Sequence, residues 1–341
     1  MKEKSTSFDI AYRAGVSQST VSRALRNSPL VNEATRLKIQ EIAKELNYKV
    51  DKNASNLRSQ HSDTLALLLF EDPTDDGSAI NPFFLSMLGS ITRACSKQGY
   101  DLLVSFQQAS EDWHADFEDS NKADGLILLG YGDYVDYEEK LVKLLEQGTH
   151  FVRWGAEDKN LPVVSVGCDN FQGGFDMTEH LIKQGRQQLA FLGSASTHAP
   201  EFFDRYKGYC HALQTNSLNI NDKLQFNALY TEEAGYQAAC KLLASGESFD
   251  AICAACDLIA IGAIRALQEN NIEVPEQVAI VGFDDIANAS FTFPPLTTVK
   301  QDTQLAGELL VGTLLSMIND EEAKTTLIPP ELVVRKSCGA Q

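Results

Sequence analysis

From residue 64 onward, apolar runs alternate with amphipathic helical patterns, and this alternation constrains the fold more than any other feature of the 341-residue chain. Such alternation builds doubly wound parallel sheets with helices on both faces. More than six units are present, so we expect an α/β body of two lobes. The predicted strands cover residues 64–70, 101–106, 125–130, 150–154, 163–167, 189–193, 251–255 and 278–282. The predicted helices cover residues 83–97, 137–146, 173–183, 201–214, 233–243 and 258–269.

The end of the last predicted strand carries a candidate binding residue. Asp284 follows the apolar run that begins at Val278. Ligands of parallel α/β sheets bind beyond the carboxyl ends of the strands, so this carboxylate would lie beside a ligand. A carboxylate there could accept hydrogen bonds from two hydroxyl groups of a ligand; the alternative is that Asp284 caps a helix.

The formal net charge of −18 hides an asymmetry between the two parts of the chain. Residues 1–60 carry 11 Lys and Arg against 6 Asp and Glu, whereas the remainder carries 18 against 41. A basic head on an acidic body is typical of a nucleic-acid-binding module joined to a second domain, although a stretch of 60 residues can also differ by chance.

Residues 8–46 have the pattern of three short helices. The first ends near Gly15, whose tolerance of positive φ suits a tight interhelical turn. Ser17 is a natural N-cap for the second helix, residues 18–25, and Asn32 for the third. The predicted apolar positions of the third helix are Leu37, Ile39, Ile42, Ala43 and Leu46.

The second helix of the head has one apolar face and one polar, cationic face. A helix, a glycine turn and a helix with such a face form the plan of a helix-turn-helix motif, whose second helix enters the major groove of DNA. Glutamine can bond adenine, and arginine can bond guanine or grip phosphate. The alternative is a small helical subdomain with a solvated polar face. The polar face carries Gln18, Ser19, Ser22, Arg23 and Arg26.

Short segments along the whole chain match, in order and spacing, those of a known family. In the head they are Phe8-Asp9-Ile10-Ala11, Ala14-Gly15-Val16-Ser17, Thr20-Val21-Ser22-Arg23 and Asn47-Tyr48. In the body they include Asn81-Pro82-Phe83-Phe84, Asp124-Gly125-Leu126-Ile127, Ala234-Gly235-Tyr236, Val281-Gly282-Phe283-Asp284-Asp285, Pro294-Pro295-Leu296-Thr297-Thr298-Val299 and Pro330-Glu331-Leu332-Val333. Together these segments resemble the LacI/GalR family of bacterial transcription regulators.

The resemblance implies a small all-α helix-turn-helix head joined by a hinge to a two-lobed α/β body like that of periplasmic sugar-binding proteins. The implied boundaries are 1–50 for the head, 51–62 for the hinge and 63–341 for the effector-binding and dimerisation body. Lobe 1 would span about 63–162 and 293–325, and lobe 2 about 163–292 and 326–341.

The polar segment 51–62 has no core stripe, and the resemblance gives it a role. It would become a helix on operator DNA, with Leu57 wedged between base pairs in the minor groove. Arg58 would reach the groove edge or a phosphate. The alternative is a plain flexible tether.

The resemblance also assigns two sets of binding residues. Arg205 would clamp the effector, unless it only pairs with Asp204 or another acid. Phe83 and Phe84 would form a pocket wall, unless they are hydrophobic staples at a helix start. The implied DNA-binding residues are Ser17, Gln18, Ser19, Thr20, Ser22, Arg23, Arg26, Asn32, Leu57 and Arg58. The predicted effector-binding residues, of which Trp154 departs from the family pattern, are Phe83, Phe84, Trp154, Arg205, Tyr230, Asp284 and Gln301.

Two positions depart from the family pattern. Many members have a carboxylate where this chain has Gly155, next to the large ring of Trp154, and many have asparagine where it has Cys256. Both changes favour a ligand that is gripped more by stacking, such as a disaccharide or an aryl glycoside. The alternative is a different packing of the core at these strands.

Several other classes of function are disfavoured. The sequence has no Gly-x-Ser-x-Gly, His-Glu-x-x-His or phosphate-binding Gly-x-x-x-x-Gly-Lys motif, and Cys253 and Cys256 form a lone C-x-x-C pair. We therefore expect no enzyme activity, metal or cofactor. The longest aliphatic or aromatic run, residues 65–70, is too short to cross a membrane, and no export signal begins the chain. With an odd number of cysteines, these features predict a cytoplasmic protein with reduced thiols.

The sequence thus predicts a homodimeric transcription regulator that represses carbohydrate-utilisation genes through a pseudo-palindromic operator. A small sugar between the lobes would set its operator affinity. One alternative keeps this function but replaces the sugar by a purine or another non-sugar effector. A solute-binding protein without DNA function is a second alternative, which the basic head disfavours.

Overall fold

The computed structural model describes residues 5–48, 61–70, 80–158 and 160–340, so the roles predicted for Leu57 and Arg58 lie outside the described residues. The chain divides into two compact units, Met1–Ser62 and Asp63–Gln341.

The described part of the first unit consists of three helices, α1 (Ser7–Ala14), α2 (Gln18–Leu25) and α3 (Glu33–Glu45). Gly15 follows α1 with a φ of 69°, a left-handed conformation that glycine adopts without a steric cost. The Ser17 side chain accepts a hydrogen bond from the N–H of Thr20, and the Asn32 side chain accepts one from the N–H of Thr35. Both residues are therefore N-caps, as predicted.

The three helices bury one apolar cluster. Ile10, Val21 and Ile39 are fully buried in it. Leu37 is 57% exposed, so its predicted place on the apolar face of α3 is wrong. It precedes Ile39 by two residues, which places it about 200° away around the helix.

The first part of the body forms lobe 1 around a parallel six-stranded sheet of order β11-β5-β4-β3-β1-β2. The strands buried at its centre lead into helices that cover its faces. The strands are β1 (Thr64–Leu69), β2 (Asp101–Phe106), β3 (Leu126–Leu129), β4 (Phe151–Trp154), β5 (Ser165–Cys168) and β11 (Thr326–Ile328). The helices are α4 (Pro82–Gln98), α5 (Tyr134–Glu146) and α10 (Thr303–Ile318).

Lobe 2 contains the second six-stranded sheet, of order β12-β10-β9-β8-β6-β7, in which β12 alone runs antiparallel to its neighbour. Its strands are β6 (Leu189–Leu192), β7 (Gln225–Phe226), β8 (Ala251–Ala254), β9 (Ala279–Asp284), β10 (Thr297–Lys300) and β12 (Glu331–Val333). Its helices are α6 (Asn170–Lys183), α7 (Pro200–Thr215), α8 (Glu232–Ala244) and α9 (Asp257–Glu269).

The chain passes between the lobes three times, and each passage comes later than predicted. Strand β5 was expected in lobe 2 but pairs in the sheet of lobe 1, and β11 likewise belongs to lobe 1. Strand β10 was expected in lobe 1 but pairs with β9 in lobe 2. The reason is that each strand completes its pairing with its own sheet before the chain leaves from the carboxyl end.

The eight strands predicted from apolar runs are all present, with ends that are shifted by at most two residues. Strands β7, β10, β11 and β12 have two to four residues each and were not predicted, because runs so short carry little periodicity. Helix α10 was also missed, since apolar residues occur around most of its circumference. Within the described ranges, no helix combines the length and apolar character needed to span a bilayer.

Candidate functional site

A cavity of about 860 Å³ lies between the two lobes, at the carboxyl ends of their strands. Residues at or just beyond the carboxyl ends of β1, β3, β9 and β10 line it, together with the first turns of α4, α7 and α8. This is the position that the parallel sheets predict for a ligand. The cavity brings together all seven residues predicted to bind an effector, namely Phe83, Phe84, Trp154, Arg205, Tyr230, Asp284 and Gln301. Their binding role stays a prediction.

Arg205, Asp284 and Gln301 form a buried polar cluster in the wall of the cavity. The Nε2 of Gln301 donates to Oδ1 of Asp284 at 2.6 Å, and Nη1 of Arg205 lies 3.7 Å from the same oxygen. Asp204, the alternative partner of Arg205, instead pairs with Lys207 at 2.7 Å. The cluster therefore presents a guanidinium, a carboxylate and an amide side by side to whatever enters.

The Arg205 side chain is fixed from several sides. Its Nε donates to Oδ1 of Asn170 at 2.8 Å, and its Nη1 donates to the carbonyl oxygen of Ala255. The guanidinium carbon lies 3.7 Å from the centroid of the Phe283 ring, a cation–π contact. A guanidinium held in this way loses little further freedom when a ligand binds to it.

The carboxyl group of Asp284 titrates unusually close to neutral pH. Burial raises its pKa to about 6, while the charge of Arg205 and the hydrogen bond from Gln301 act in the opposite direction. Asp257 is fully buried, and its pKa is also raised, first by burial and then by the negative charge of Asp284. The backbone of Asp284 has a φ of 116°, a region that favours glycine, so the chain is strained at this point of the cavity.

Aromatic rings wall the cavity on both lobes. The Phe83 ring lies 5.6 Å from that of Phe84 and 5.9 Å from that of Trp154, measured between centroids, all within lobe 1. On lobe 2 the Tyr230 ring lies 4.9 Å from that of Phe202. Flat apolar surfaces on two sides suit a ligand with apolar faces and a polar edge.

Sequence reasoning missed Glu201, which lines the cavity from the first turn of α7. Its Oε1 accepts a hydrogen bond from the N–H of Ala156 at 2.9 Å, and its Oε2 accepts one from the hydroxyl of Tyr131. Burial raises the pKa of this carboxyl group. The available signal was its position four residues before Arg205, since such residues share one face of a helix.

Cys256, the second departure from the family pattern, also lines the cavity, where it precedes α9. Burial raises the pKa of its thiol. Cys253 lies on the neighbouring strand β8, and its fully buried thiol contacts the Thr178 hydroxyl at 3.5 Å. The two cysteines therefore occupy different surroundings, one at the cavity and one in the core.

The polar face of α2 is at the surface of the head. Ser19, Arg23 and Arg26 are exposed, and Gln18, Thr20 and Ser22 are half-buried. The Nε2 of Gln18 donates to Oγ of Ser7 at 2.9 Å, and Arg26 donates to the carbonyl and hydroxyl oxygens of Ser22. Arg23 makes no side-chain hydrogen bond or ion pair with another described residue. The face thus offers one arginine that has no partner among the described residues of the head, and two side chains whose bonds can be exchanged for bonds to DNA.

Comparisons with known proteins match both units of the chain. Residues 8–51 match the model of the family described as "Bacterial regulatory proteins, lacI family", and residues 178–338 match that of the "Periplasmic binding protein-like domain". The chain is 30% identical to the HTH-type transcriptional regulator RegA of Clostridium saccharobutylicum over 334 residues, which cover 96% of this chain and 98% of that one.

Solved structures also resemble the whole chain, among them two transcription regulators. One is the lac repressor dimer bound to operator and the anti-inducer ONPF, with a TM-score of 0.83 and 25% identity over 99% of this chain and 100% of that one. The other is a complex of the transcriptional regulator CelR with cellobiose, with a TM-score of 0.73 and 28% identity over 98% and 99% of the two chains. The similarity therefore extends over the head and the body together.

Proposed function

The chain belongs to the lacI family of bacterial regulatory proteins and is a DNA-binding transcription regulator, and we propose that it is a repressor whose operator affinity is set by a disaccharide or aryl glycoside bound between its lobes. The observation that carries the proposal is the buried cluster of Arg205, Asp284 and Gln301 at one wall of an aromatic cavity.

The chemistry of the cavity favours a sugar. An ionised Asp284 can accept bonds from two neighbouring hydroxyls, while Arg205 and Gln301 can donate to ring or hydroxyl oxygens. The rings of Trp154 and Tyr230 can pack on the apolar faces of pyranose units. The cavity polar groups bond one another and the backbone, an arrangement suited to binding rather than to turnover of a ligand.

The size of the cavity favours more than one ring. A volume of about 860 Å³ lies toward the upper end of the roughly 300–1,000 Å³ range of small-molecule sites. A single pyranose would leave part of the aromatic wall without contact. The similar regulator CelR is solved with cellobiose, a disaccharide, which supports the same ligand class here.

For the head we propose that α2 reads bases in the major groove of a pseudo-palindromic operator. Gln18 and Ser19 stand at the start of α2, where such helices contact base edges. Arg23 and Arg26 would bind guanine or phosphate. Ser17 and Asn32 cap α2 and α3 and would add phosphate contacts at those helix starts. The roles of Leu57 and Arg58 in a hinge remain proposals from the sequence.

We also propose that the chain acts as a homodimer, as the similar lac repressor does in its complex with operator. Phe291 and Phe293 are each 85% exposed beside Pro294 and form an apolar surface on lobe 2. Exposed aromatic side chains in a cluster are typical of protein interfaces.

A binding panel tests the ligand class. The full chain is titrated by calorimetry with cellobiose, maltose, ribose, a nitrophenyl glucoside, hypoxanthine and guanine. We expect a disaccharide or the aryl glucoside to bind, and Arg205→Ala and Asp284→Asn each to weaken that binding at least a hundredfold, because a buried charged group loses its partner. Lys207→Ala, on the same helix but outside the cavity, is the matched control.

The purine alternative is an outcome of the same panel. A purine ring would stack between the same aromatic walls. Binding of hypoxanthine or guanine with no binding of any sugar would overturn the proposed ligand class, while the assignment of the cavity would stand if Arg205→Ala removed that binding too.

A further inference from the structure

At one edge of the cavity, hydrogen bonds of Glu201 and His198 from lobe 2 join the two lobes. From lobe 2, Glu201 accepts bonds from the N–H of Ala156 and the hydroxyl of Tyr131 in lobe 1. In the adjacent loop, the carbonyl oxygen of His198 accepts a bond from the N–H of Tyr134 at 3.0 Å. The ring of His198 also lies 2.7 Å from the carboxylate of Asp133. Residues 198–201 therefore fasten lobe 2 to the segments that follow β3 and β4.

The lobe 1 side of this contact is built around a buried arginine. Arg153 is 1% exposed, and its Nη2 donates to the carbonyl oxygen of Ala156. This bond holds the loop after β4 so that the N–H of Ala156 faces Glu201. The Nε and Nη1 of Arg153 have no hydrogen-bond partner in the part of the chain that the structure describes, so its role at this contact is the bond to Ala156.

Gly155 makes room for the carboxylate of Glu201. A Cβ atom at this position would lie 2.5 Å from Nη1 of Arg153 and 2.9 Å from Oε1 of Glu201. Any other residue would therefore push these two groups out of place. Many members of the family have a carboxylate of lobe 1 at this position. Here the glycine leaves space that the Glu201 carboxylate of lobe 2 occupies.

We propose that Glu201 is a latch that fixes lobe 2 to lobe 1 in the arrangement described here, with Arg153 and Gly155 as the positioning residues of its seat. Glu201 lies one helical turn from Arg205 on α7. A ligand held by Arg205 thus acts on the same turn of helix that fastens the lobes. The latch contact stabilises one arrangement of the lobes over others. A ligand that binds this arrangement with a different affinity would shift the equilibrium between them.

Amide hydrogen exchange of the full chain tests the latch without any ligand. In Glu201→Ala, the N–H of Ala156 loses its acceptor, so faster exchange there is expected on local grounds alone. The decisive amide is that of Tyr134, whose acceptor His198 is unchanged. If Glu201 holds the lobes together, the Tyr134 amide also exchanges faster, by about tenfold.

Two further variants complete the test. Gly155→Ala keeps the Glu201 carboxylate but obstructs its seat, and it should give the same faster exchange at Tyr134. Asp204→Ala removes a carboxylate from the same helix that pairs with Lys207 inside lobe 2, and it should change neither amide. Unchanged exchange in β8 and β9 shows that each variant is folded.

Exchange that increases at Ala156 alone in Glu201→Ala, with Tyr134 unchanged in both Glu201→Ala and Gly155→Ala, would overturn the latch. The inference goes beyond the proposed function, and its experiment contains neither sugar nor DNA. A failed latch and a failed ligand assignment can therefore be told apart.

Discussion

At the scale of single residues, the proposed response depends most on the Asp284 carboxylate. It stands at the end of β9 with a strained backbone, accepts a bond from Gln301 and faces the guanidinium of Arg205. Its raised pKa of about 6 follows mainly from burial. Burial makes this carboxyl group costly to ionise, and hydrogen bonds from ligand hydroxyls would stabilise its ionised form.

We expect the affinity for the bound sugar to fall as the pH is lowered below about 6. The ionised form of Asp284 accepts the hydroxyls, and lowering the pH through its pKa removes that form, so the loss approaches about tenfold per pH unit. Calorimetric titrations between pH 7.5 and 5 measure it. The pKa of Asp284 is higher in the folded state than in the unfolded chain, so lowering the pH from 7.5 to 5 stabilises the fold through this group. The expected loss of affinity is therefore not a loss of folding at Asp284.

The control separates Asp284 from the other groups near it. Asp257, Cys168, Cys256 and Tyr230 also face this carboxylate, and all remain in Asp284→Asn. This variant should bind weakly with an affinity that hardly changes with pH. A pH dependence as steep as that of the parent chain would assign the titration to another buried carboxyl group, Asp257 or Glu201.

The sequence identified some residues of the site more readily than others. Asp284 lies in a short motif that resembles one of the family, the resemblance also assigned Arg205, and both residues line the cavity. Glu201 carries no such signal, because its partners Tyr131 and Ala156 lie 70 and 45 residues away along the chain. A contact between two lobes depends on how the lobes are placed, which no local pattern records.

At the scale of helices and strands, local sequence patterns correctly predicted the helix caps and the apolar strands, which depend on interactions close in the chain. Ser17 and Asn32 cap their helices as their side chains suggest, and the apolar runs form the central strands of both sheets. The lobe passages at residues 168–170, 300–303 and 328–331 were predicted too early. They depend on which sheet a short strand joins, and that choice is made by pairing with strands far away in the chain.

Helix α2 is expected to read the bases of each operator half-site. In Gln18→Ala, the base preference at one position of each operator half-site should relax, by about 1–3 kcal/mol for a lost bidentate contact. Selection of the full chain on randomised operators measures the preference. Gln40→Ala is the matched control, because Gln40 lies on α3 and bonds Asn27. Base preferences that are identical for Gln18→Ala and the parent would argue against α2 as the reading helix.

At the scale of the whole molecule, a two-lobed body and a separate head are joined in one chain. The body contains the cavity, and the head contains the exposed polar face of α2. A signal from one to the other requires that a ligand prefer one lobe arrangement and that operator DNA prefer one as well. A two-fold dimer would present two heads to two half-sites.

The proposed dimer interface includes the exposed rings of Phe291 and Phe293 on lobe 2. Replacement of Phe291 and Phe293 together by serine should convert the dimer to a monomer in sedimentation and weaken operator binding, because a single head contacts only one half-site. Val135→Ser removes an apolar side chain that is 48% exposed on lobe 1 and serves as the control. A double variant that sediments as the parent does would place the interface elsewhere.

In the proposed regulator, a ligand in the cavity controls DNA binding. The most direct test measures the affinity of the full chain for its cavity ligand with and without saturating operator. Reciprocal linkage predicts that the affinity changes by the same factor by which the ligand changes operator affinity, about 5–150-fold for a coupling of 1–3 kcal/mol. Equal ligand affinities in the two conditions, for a ligand whose binding is lost in Arg205→Ala, would show that the cavity does not regulate DNA binding.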